Sequence, residues 1–452
     1  MRVAASSNFQ QRIESVSTAP LELKKTSTQY KLLIAVLAVI IGWGLYAYVT
    51  QIYFGLIMTG MRDYVSWGFY IFNFVFWVGV SLCGALVSAV LRLANAGWRT
   101  PLTRIAELIT VSALILAGMM IIFDIGRPDR ALYLFFYGRF GSPLIWDLIG
   151  LMTYMLGSFV YLYLPAIADF AIMRDRLQKV SNSIKYKIYS ILAVGWTGTK
   201  DQKSRLARAA RIMTVMIIPI GCSMHTVTAF TVSMTLRPGW DTAILAPNFV
   251  VGAFFSGVGV LIFVMGIFRK FLHLEEWITE KHFKYLSYLA VTMLFTYLYF
   301  VVVEYITVIF KLRLEEKELF TNLFLGPASP WFYTFVVTAF LLPAILLLWQ
   351  RQPAIPRIMA AGLLINVGMW VKRYVIVIPT LEVPLMPTGF QFATYTPSWV
   401  EISIAAMGFA IFALILALAA KALPIMPFAE VIEEHEHEEA AHHAHEETTG
   451  KA

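Results

Sequence analysis

The chain has 452 residues, of which 59% are hydrophobic and only 14% are charged, and its mean hydropathy is +0.69. Soluble domains carry about 25% charged residues, so this composition excludes a soluble enzyme, a nucleic-acid-binding module and a disordered scaffold. The formal charge of +8 reflects basic residues that flank apolar segments, which is a signature of orientation in a membrane.

Apolar runs bounded by charge or proline predict ten membrane-spanning helices, because about 20 apolar residues cross a bilayer core. These predicted spans, numbered one to ten, are residues 31–52, 67–91, 102–123, 145–169, 211–235, 244–269, 284–310, 329–350, 355–378 and 399–421. Lysine and arginine concentrate in alternate connections, above all in 170–210. The positive-inside rule therefore predicts a multi-pass protein of the inner (plasma) membrane with both termini in the cytoplasm.

The predicted fold class is an all-α integral membrane protein, with two four-helix bundles plus two peripheral helices. We divide the chain into a cytoplasmic N-terminal segment (1–30), a transmembrane domain (31–421) and a disordered Glu/His-rich cytoplasmic tail (422–452). Connection 170–210 mixes basic and apolar residues, which predicts an amphipathic segment on the cytoplasmic face.

Cysteine and histidine usage argues against a redox cofactor held by this chain. The two cysteines, Cys83 and Cys222, lie in separate apolar runs, whereas an iron–sulfur cluster normally takes four thiolates. His225 is the only histidine inside a predicted span, so a haem held by histidines of two spans has no ligand pair. The sequence therefore predicts no metal site.

Four consecutive spans each place a polar group at a similar depth below the outer surface. These groups are Asn73, Asp124, Asp147 and His225, in spans two to five. Ionisable residues inside spans are costly, so each is a functional candidate. Quinol oxidation suits this set, because the head group needs hydrogen-bond partners at two oxygens and releases two protons that carboxylate and imidazole groups can accept.

We therefore predict that Asp124 and Asp147 act as proton acceptors and that His225 acts as a hydrogen-bond partner or relay. Arg127 is expected to hold the Asp124 carboxylate and to polarise the head group. The residues expected to line the quinone pocket are Trp67, Asn73, Arg127 and Trp146.

Structural roles stay open for the same residues. Asp124 and Arg127 could form an ion pair that caps span three, and Asp147 could bind backbone N–H groups of its own first turn. His225 and Asn73 could each make a hydrogen bond that only holds helices together.

Two further acids are candidates for a proton path. Glu304, near the outer end of span seven, is expected to pair with Lys372 or Arg373, or to belong to a second proton route. Asp169 is the one clear acid that we assign to the inner half of spans two to five. A path across the bilayer would require further inner acids.

Several segments occur in order between roughly residues 40 and 270. They are WGFYIFNFVFWVGV, IIFDIGRPDRALYLFF, SPLIWD, HTVTAF and RPGWDTAILAPNFVVGAFFSG. Together they resemble the polysulfide reductase membrane-subunit family, NrfD/PsrC. The number of spans is similar to that of the membrane subunits of alternative complex III and related quinone reductase complexes.

The resemblance implies a subunit without a redox centre that exchanges electrons between quinol or menaquinol and an iron–sulfur subunit on the outer face. Molybdopterin-type or cytochrome c subunits, and a paralogous membrane subunit, are the further partners it implies. The family's acidic positions fall on Asp124 and Asp147, although alternative complex III has histidine at the first and a longer intervening loop. Loop 124–142 would dock the iron–sulfur partner, through Arg127, Arg130 and Arg139.

The resulting interpretation is a quinone-interacting membrane subunit of a quinol:acceptor oxidoreductase, without catalysis by the isolated chain. The alternatives are a proton-translocating subunit and a subunit that only anchors the complex.

Overall fold

The computed structural model describes residues 27–94, 96–178, 184–235, 237–311, 313–349, 354–383 and 394–423, together with 425, 427 and 430. This part of the chain is helical and contains no strand, as predicted. The N-terminal segment up to residue 26 and most of the predicted tail lie outside the described residues.

The ten predicted spans are confirmed, since ten helices in the described ranges are long and apolar enough to cross a membrane. Spans one to ten are Thr28–Phe54, Phe69–Leu93, Thr100–Asp124, Pro143–Asp175, Lys200–Ser233, Leu245–Phe271, Glu280–Lys311, Ser329–Leu348, Ile355–Glu382 and Trp399–Ala422. We call "outer" the end at which span three finishes and span four begins, following the predicted orientation.

Local sequence explains several of the helix starts. Ser398 caps span ten in a capping box, in which its hydroxyl accepts from the Glu401 backbone N–H and the Glu401 carboxylate accepts from the Ser398 N–H. Thr199 caps span five. Spans three, eight and nine have proline in their first turn, where a missing N–H costs nothing.

Contacts between the spans separate two sets of helices, a first set of spans two to five and a second set of spans six to nine. Spans two to five contact one another, and so do spans six to nine, while span one packs chiefly along span ten. Span two lies against spans six and nine as well as span three, so it forms the seam between the two sets. The grouping into two bundles plus two peripheral helices remains a prediction.

Span two is interrupted by a π-helical turn at Gly84–Ser88. The Thr110 hydroxyl of span three accepts from the Gly84 N–H at 2.7 Å and donates to the Ser81 carbonyl at 2.6 Å. A side chain at position 84 would lie 2.2 Å from the Thr110 hydroxyl oxygen, so the close approach requires glycine. The widened turn places Ser88 against span three.

The predicted amphipathic connection is shorter than 170–210. The helix of span four continues to Gln178 and span five begins at Lys200, which leaves a separate helix at Ile184–Leu192. Tyr189 of this helix is buried, whereas its isoleucines are exposed. The charged residues before and after this short helix thus belong to the helices of spans four and five, which continue beyond their apolar parts.

Candidate functional site

Asp147 joins spans four and five near their outer ends. The Thr228 hydroxyl donates to Asp147 Oδ1 at 2.6 Å, and both side chains are buried. The carboxylate therefore bonds a neighbouring span and does not cap its own helix. No cationic side chain of the described ranges forms an ion pair with it.

His225 lies one turn further inward on the same face of span five, because residues three apart on a helix are neighbours. Its Nδ1 is 2.7 Å from the Gly221 carbonyl oxygen and its Nε2 is 2.9 Å from the Val78 carbonyl oxygen of span two. A neutral imidazole donates through only one nitrogen, whereas a protonated one donates through both. If His225 takes up a proton, a carbonyl oxygen is therefore already in position to accept the hydrogen bond from the second ring N–H.

Asp124 ends span three and has a less complete set of partners. Its Oδ1 is buried and has no hydrogen-bond partner within the described residues. The neighbouring Phe123 carbonyl accepts from the Gln51 amide at 2.8 Å, and Gln51 in turn accepts from the Tyr70 hydroxyl. The unused carboxylate oxygen thus lies beside a chain of hydrogen bonds between spans one, two and three.

The predicted contact between Arg127 and Asp124 is wrong. Arg127 binds Asp129 through two hydrogen bonds of 3.0 and 2.9 Å, and the two side chains are 62% and 59% exposed. Gly126, with φ of +67°, turns the chain away from the end of span three. The hydrogen bond from Arg127 holds the pKa of Asp129 below its ordinary value. An exposed local pair avoids the desolvation that a pair with Asp124 would require.

The other predicted lining residues have partners of their own. Asn73 donates to the Phe69 carbonyl at 2.7 Å and accepts from the Trp370 indole at 3.0 Å, so it links spans two and nine. The ring of Trp67 stacks on that of Trp240, with centroids 5.9 Å apart.

Trp146 is half-exposed and donates to the Phe140 carbonyl. The structure thus links Asp147 to Thr228, which lies one turn from His225 on span five, while Asp124, Trp67 and Trp146 belong to separate contact networks. Within the described residues, no direct hydrogen bond joins any two of the predicted proton acceptors.

The predicted pairing of Glu304 is confirmed. Lys372 Nζ lies 3.1 Å from Glu304 Oε2, and the Asn248 amide donates to the same oxygen at 2.7 Å. A cavity of about 30 Å³ borders this pair and is also lined by Trp240 and Tyr305. Such a volume holds about two water molecules.

Asp169 is part of an ion pair that the sequence analysis missed. Arg104 of span three donates to its carboxylate at 2.8 Å, with side chains 3% and 0% exposed. Glu107, one turn further along span three, is buried and accepts from the Ser88 hydroxyl at 3.0 Å. Arg104 and Glu107 occur in the segment TRIAE (103–107), inside an apolar run. Glu107 is therefore an inner acid of spans two to five in addition to Asp169.

The sequence is similar to those of known membrane subunits. The model of the family "Polysulphide reductase, NrfD" matches residues 57–384. A protein of Halobacterium salinarum, named as a putative membrane subunit of dimethyl sulfoxide reductase, is 31% identical over 240 residues. That match spans about half of each chain, 53% of this one and 52% of the relative.

Two other relatives match over most of their length. The menaquinone reductase integral membrane subunit of Nitratidesulfovibrio vulgaris is 25% identical, over 88% of this chain and 93% of its own. The Hdr-like menaquinol oxidoreductase integral membrane subunit of Archaeoglobus fulgidus is 24% identical, over 91% and 98%. Because the family model covers well over half of the sequence, this chain belongs to the NrfD polysulphide reductase family.

Proposed function

We propose that this chain is the quinone-interacting membrane subunit of a quinol oxidoreductase complex in the plasma membrane, with both termini in the cytoplasm. The observation that carries the proposal is the column of Asp147, Thr228 and His225 in the outer half of spans four and five. It combines a buried carboxylate that lacks a cation partner in the described ranges with an imidazole placed between two carbonyl oxygens. Two relatives named for menaquinone or menaquinol chemistry support the same substrate class.

The chain's own residues supply proton acceptors in this proposal. Oxidation of a quinol breaks two O–H bonds and releases two protons and two electrons. Asp147 accepts one proton at its carboxylate, and His225 accepts the other at a ring nitrogen that then donates to a backbone carbonyl. The electrons pass to an iron–sulfur subunit on the outer face. Asp124, whose buried Oδ1 has no hydrogen-bond partner among the described residues, supplies an exit for protons towards that face.

The docking surface for the iron–sulfur partner is the connection between spans three and four. It contains the exposed pair Arg127–Asp129 and a short helix at Tyr133–Tyr137 whose aromatic side chains are exposed. Aromatic and arginine side chains are enriched in protein interfaces. Molybdopterin-type or cytochrome c subunits, and a paralogous membrane subunit, would join the complex beyond this contact.

A titration of the assembled complex with the fluorescent quinol analogue heptyl-hydroxyquinoline N-oxide tests the proposal. We expect saturable binding that weakens about 10-fold or more in Asp147→Asn, since a hydrogen bond to a charged group is lost. Asp129→Asn is the matched control, because it changes an exposed acid of the same face. Equal affinity of Asp147→Asn and wild type, with a lower melting temperature in the variant, would favour a subunit that only anchors the complex.

One specific observation favours proton translocation as a second candidate function. Glu107, Ser88 and Tyr161 form a buried chain in the inner half of the first helix set, with two contacts of 3.0 Å. Glu107 would supply the inner half of a proton path, and the column of Asp147, Thr228 and His225 would supply its outer half. Glu304 and Asp169 are less suited to move protons because each is paired with a cation.

Proton uptake by vesicles that contain the complex distinguishes this second function. If Glu107 lies on a path, Glu107→Gln abolishes proton uptake from the inner side and leaves quinol oxidation in uncoupled vesicles intact. If uptake persists at the wild-type ratio of protons to electrons, Glu107 has a structural role.

A further inference from the structure

Arg373 is a buried cation for which the described residues provide no partner. It lies in span nine and is 2% exposed. No oxygen in the described ranges accepts a hydrogen bond from its guanidinium or forms an ion pair with it. The guanidinium lies over the Phe249 ring, 4.8 Å from the ring centroid, and Glu304 and Tyr297 act on it electrostatically without a hydrogen bond. A guanidinium has five N–H donors, and a charge buried without a partner costs several kcal/mol.

Lys372, the residue before Arg373, is a buried charge of the same helix that is compensated by an acid. Lys372 pairs with Glu304, whose carboxylate also accepts from Asn248. Because Glu304 is already balanced by Lys372, this three-residue cluster of Glu304, Lys372 and Arg373 carries one uncompensated positive charge. Buried ionisable groups in a membrane protein that lack a protein partner indicate a ligand or a functional site.

Arg373 faces the seam at which the candidate quinol site lies. Trp370, one turn inward on the same side of span nine, donates to Asn73 of span two. A terminal guanidinium nitrogen of Arg373 lies 3.5 Å from the place that a side-chain carbon on Gly79 would occupy. The residue before Gly79 is Val78, whose carbonyl contacts His225.

Adjacent residues of span two thus contact Arg373 from one helix set and His225 from the other. Counting 1.5 Å per residue from the outer helix ends, both side chains lie at a depth of about 12–14 Å. The uncompensated cation and the candidate proton acceptor therefore occupy the same layer of the membrane.

We propose that Arg373 is a binding residue for an oxygen of the quinone head group, supplied to the site by the second helix set. This inference rests on the proposed function. A quinone carbonyl oxygen accepts from the guanidinium fork, and the positive charge stabilises the negative charge that develops on a quinol oxygen as its O–H bond breaks. The proton from that bond goes to the acceptors of the first set.

The test is the same titration of the assembled complex with heptyl-hydroxyquinoline N-oxide, applied to Arg373→Gln and Arg373→Lys. We expect Arg373→Gln to weaken binding about 10-fold or more and Arg373→Lys to weaken it less, because lysine keeps the charge but loses the fork. Without ligand, Arg373→Gln should melt at or above the wild-type temperature, since it removes an uncompensated buried charge.

Lys372→Gln is the matched control one residue away. It leaves Glu304 unpaired, so we expect a lower melting temperature and an unchanged affinity of the folded fraction for the analogue. This pattern is the opposite of that expected for Arg373→Gln. A purely structural Arg373 would instead behave like Lys372.

The outcomes separate failure of this inference from failure of the proposed function. Wild-type affinity in both Arg373 variants, together with weakened binding in Asp147→Asn, overturns only the assignment of Arg373. A melting temperature of Arg373→Gln well below wild type, with unchanged affinity in Arg373→Lys, overturns it as well. No binding by the wild-type complex overturns the proposed function and this inference together.

Discussion

Asp169 at the inner end of spans two to five and the two acids at the outer end differ in their partners. At the inner end Asp169 is held by Arg104 in an ion pair that water barely reaches. At the outer end Asp147 has only a threonine hydroxyl, and Asp124 has an oxygen without a hydrogen-bond partner in the described part of the chain. The charge of Asp169 is thus compensated by a cation, whereas those of the two outer acids are not.

This difference separates structural acids from acids that can exchange protons. A carboxylate beside an arginine remains ionised, because protonation would leave the cation buried alone. A carboxylate that faces only a hydroxyl can change its protonation state without stranding a neighbouring charge. The two outer acids, and Glu107 at the inner end, can therefore take part in proton chemistry, whereas the pair of Arg104 and Asp169 fastens spans three and four together.

The largest expected effect comes from breaking the inner pair. Arg104→Met leaves Asp169 ionised and buried without its cation, and it should lower the free energy of unfolding by about 3–5 kcal/mol. Thermal unfolding of the detergent-solubilised protein measures the loss. The double variant Arg104→Met with Asp169→Leu should recover most of it, and failure to recover would mean that the pair is not the source of the stability.

The outer acid should behave in the opposite way. Asp147→Asn is expected to reduce quinol oxidation by the complex about 10²-fold or more, because a proton acceptor is lost, while the melting temperature changes little. Steady-state turnover and thermal unfolding of the same preparation give both quantities. A large loss of stability with turnover preserved in the folded fraction would contradict the distinction between the two ends.

Two buried hydroxyls sharpen the comparison. Ser88 at the inner end contacts Glu107 and Tyr161, and its replacement by alanine should cost about 1–3 kcal/mol of unfolding free energy without altering affinity for the quinol analogue. Thr228→Val at the outer end should instead weaken analogue binding several-fold, because Asp147 loses the hydroxyl that orients it. If the Ser88 and Thr228 variants weaken binding of the analogue equally, the two hydroxyls do not differ in their role in quinol binding.

The smallest effect is expected at the exposed arginine. Arg127→Gln removes a solvated pair with Asp129, so the melting temperature should not change measurably. The pKa of Asp129, which Arg127 holds below its ordinary value, should move up in the variant.

Arg127→Gln should also weaken attachment of the iron–sulfur subunit, measured by co-purification at increasing salt. A marked loss of stability would point to an interaction of Arg127 with the span that the structure does not contain.

Sequence alone was sufficient for the number of spans and their approximate bounds. An apolar run of about 20 residues is long enough to cross a bilayer core as a helix, so the length of each run was enough to identify a span. The pairing of Glu304 with either Lys372 or Arg373 also followed, because an acid and a base near the outer ends of two spans have few other ways to be buried, and the structure selects Lys372.

The choice of partner required the folded structure. Arg127 pairs with Asp129 instead of Asp124, and Arg104 of span three pairs with Asp169 of span four. The π-helical turn of span two places the Ser88 hydroxyl against Glu107. The contacts of Arg104 and Ser88 depend on the rotation of a helix about its axis and on which spans are neighbours, whereas Arg127 pairs within its own loop. Helix periodicity determines a face but not what that face meets, so packing of distant segments decided which acids are compensated and which are left able to exchange a proton.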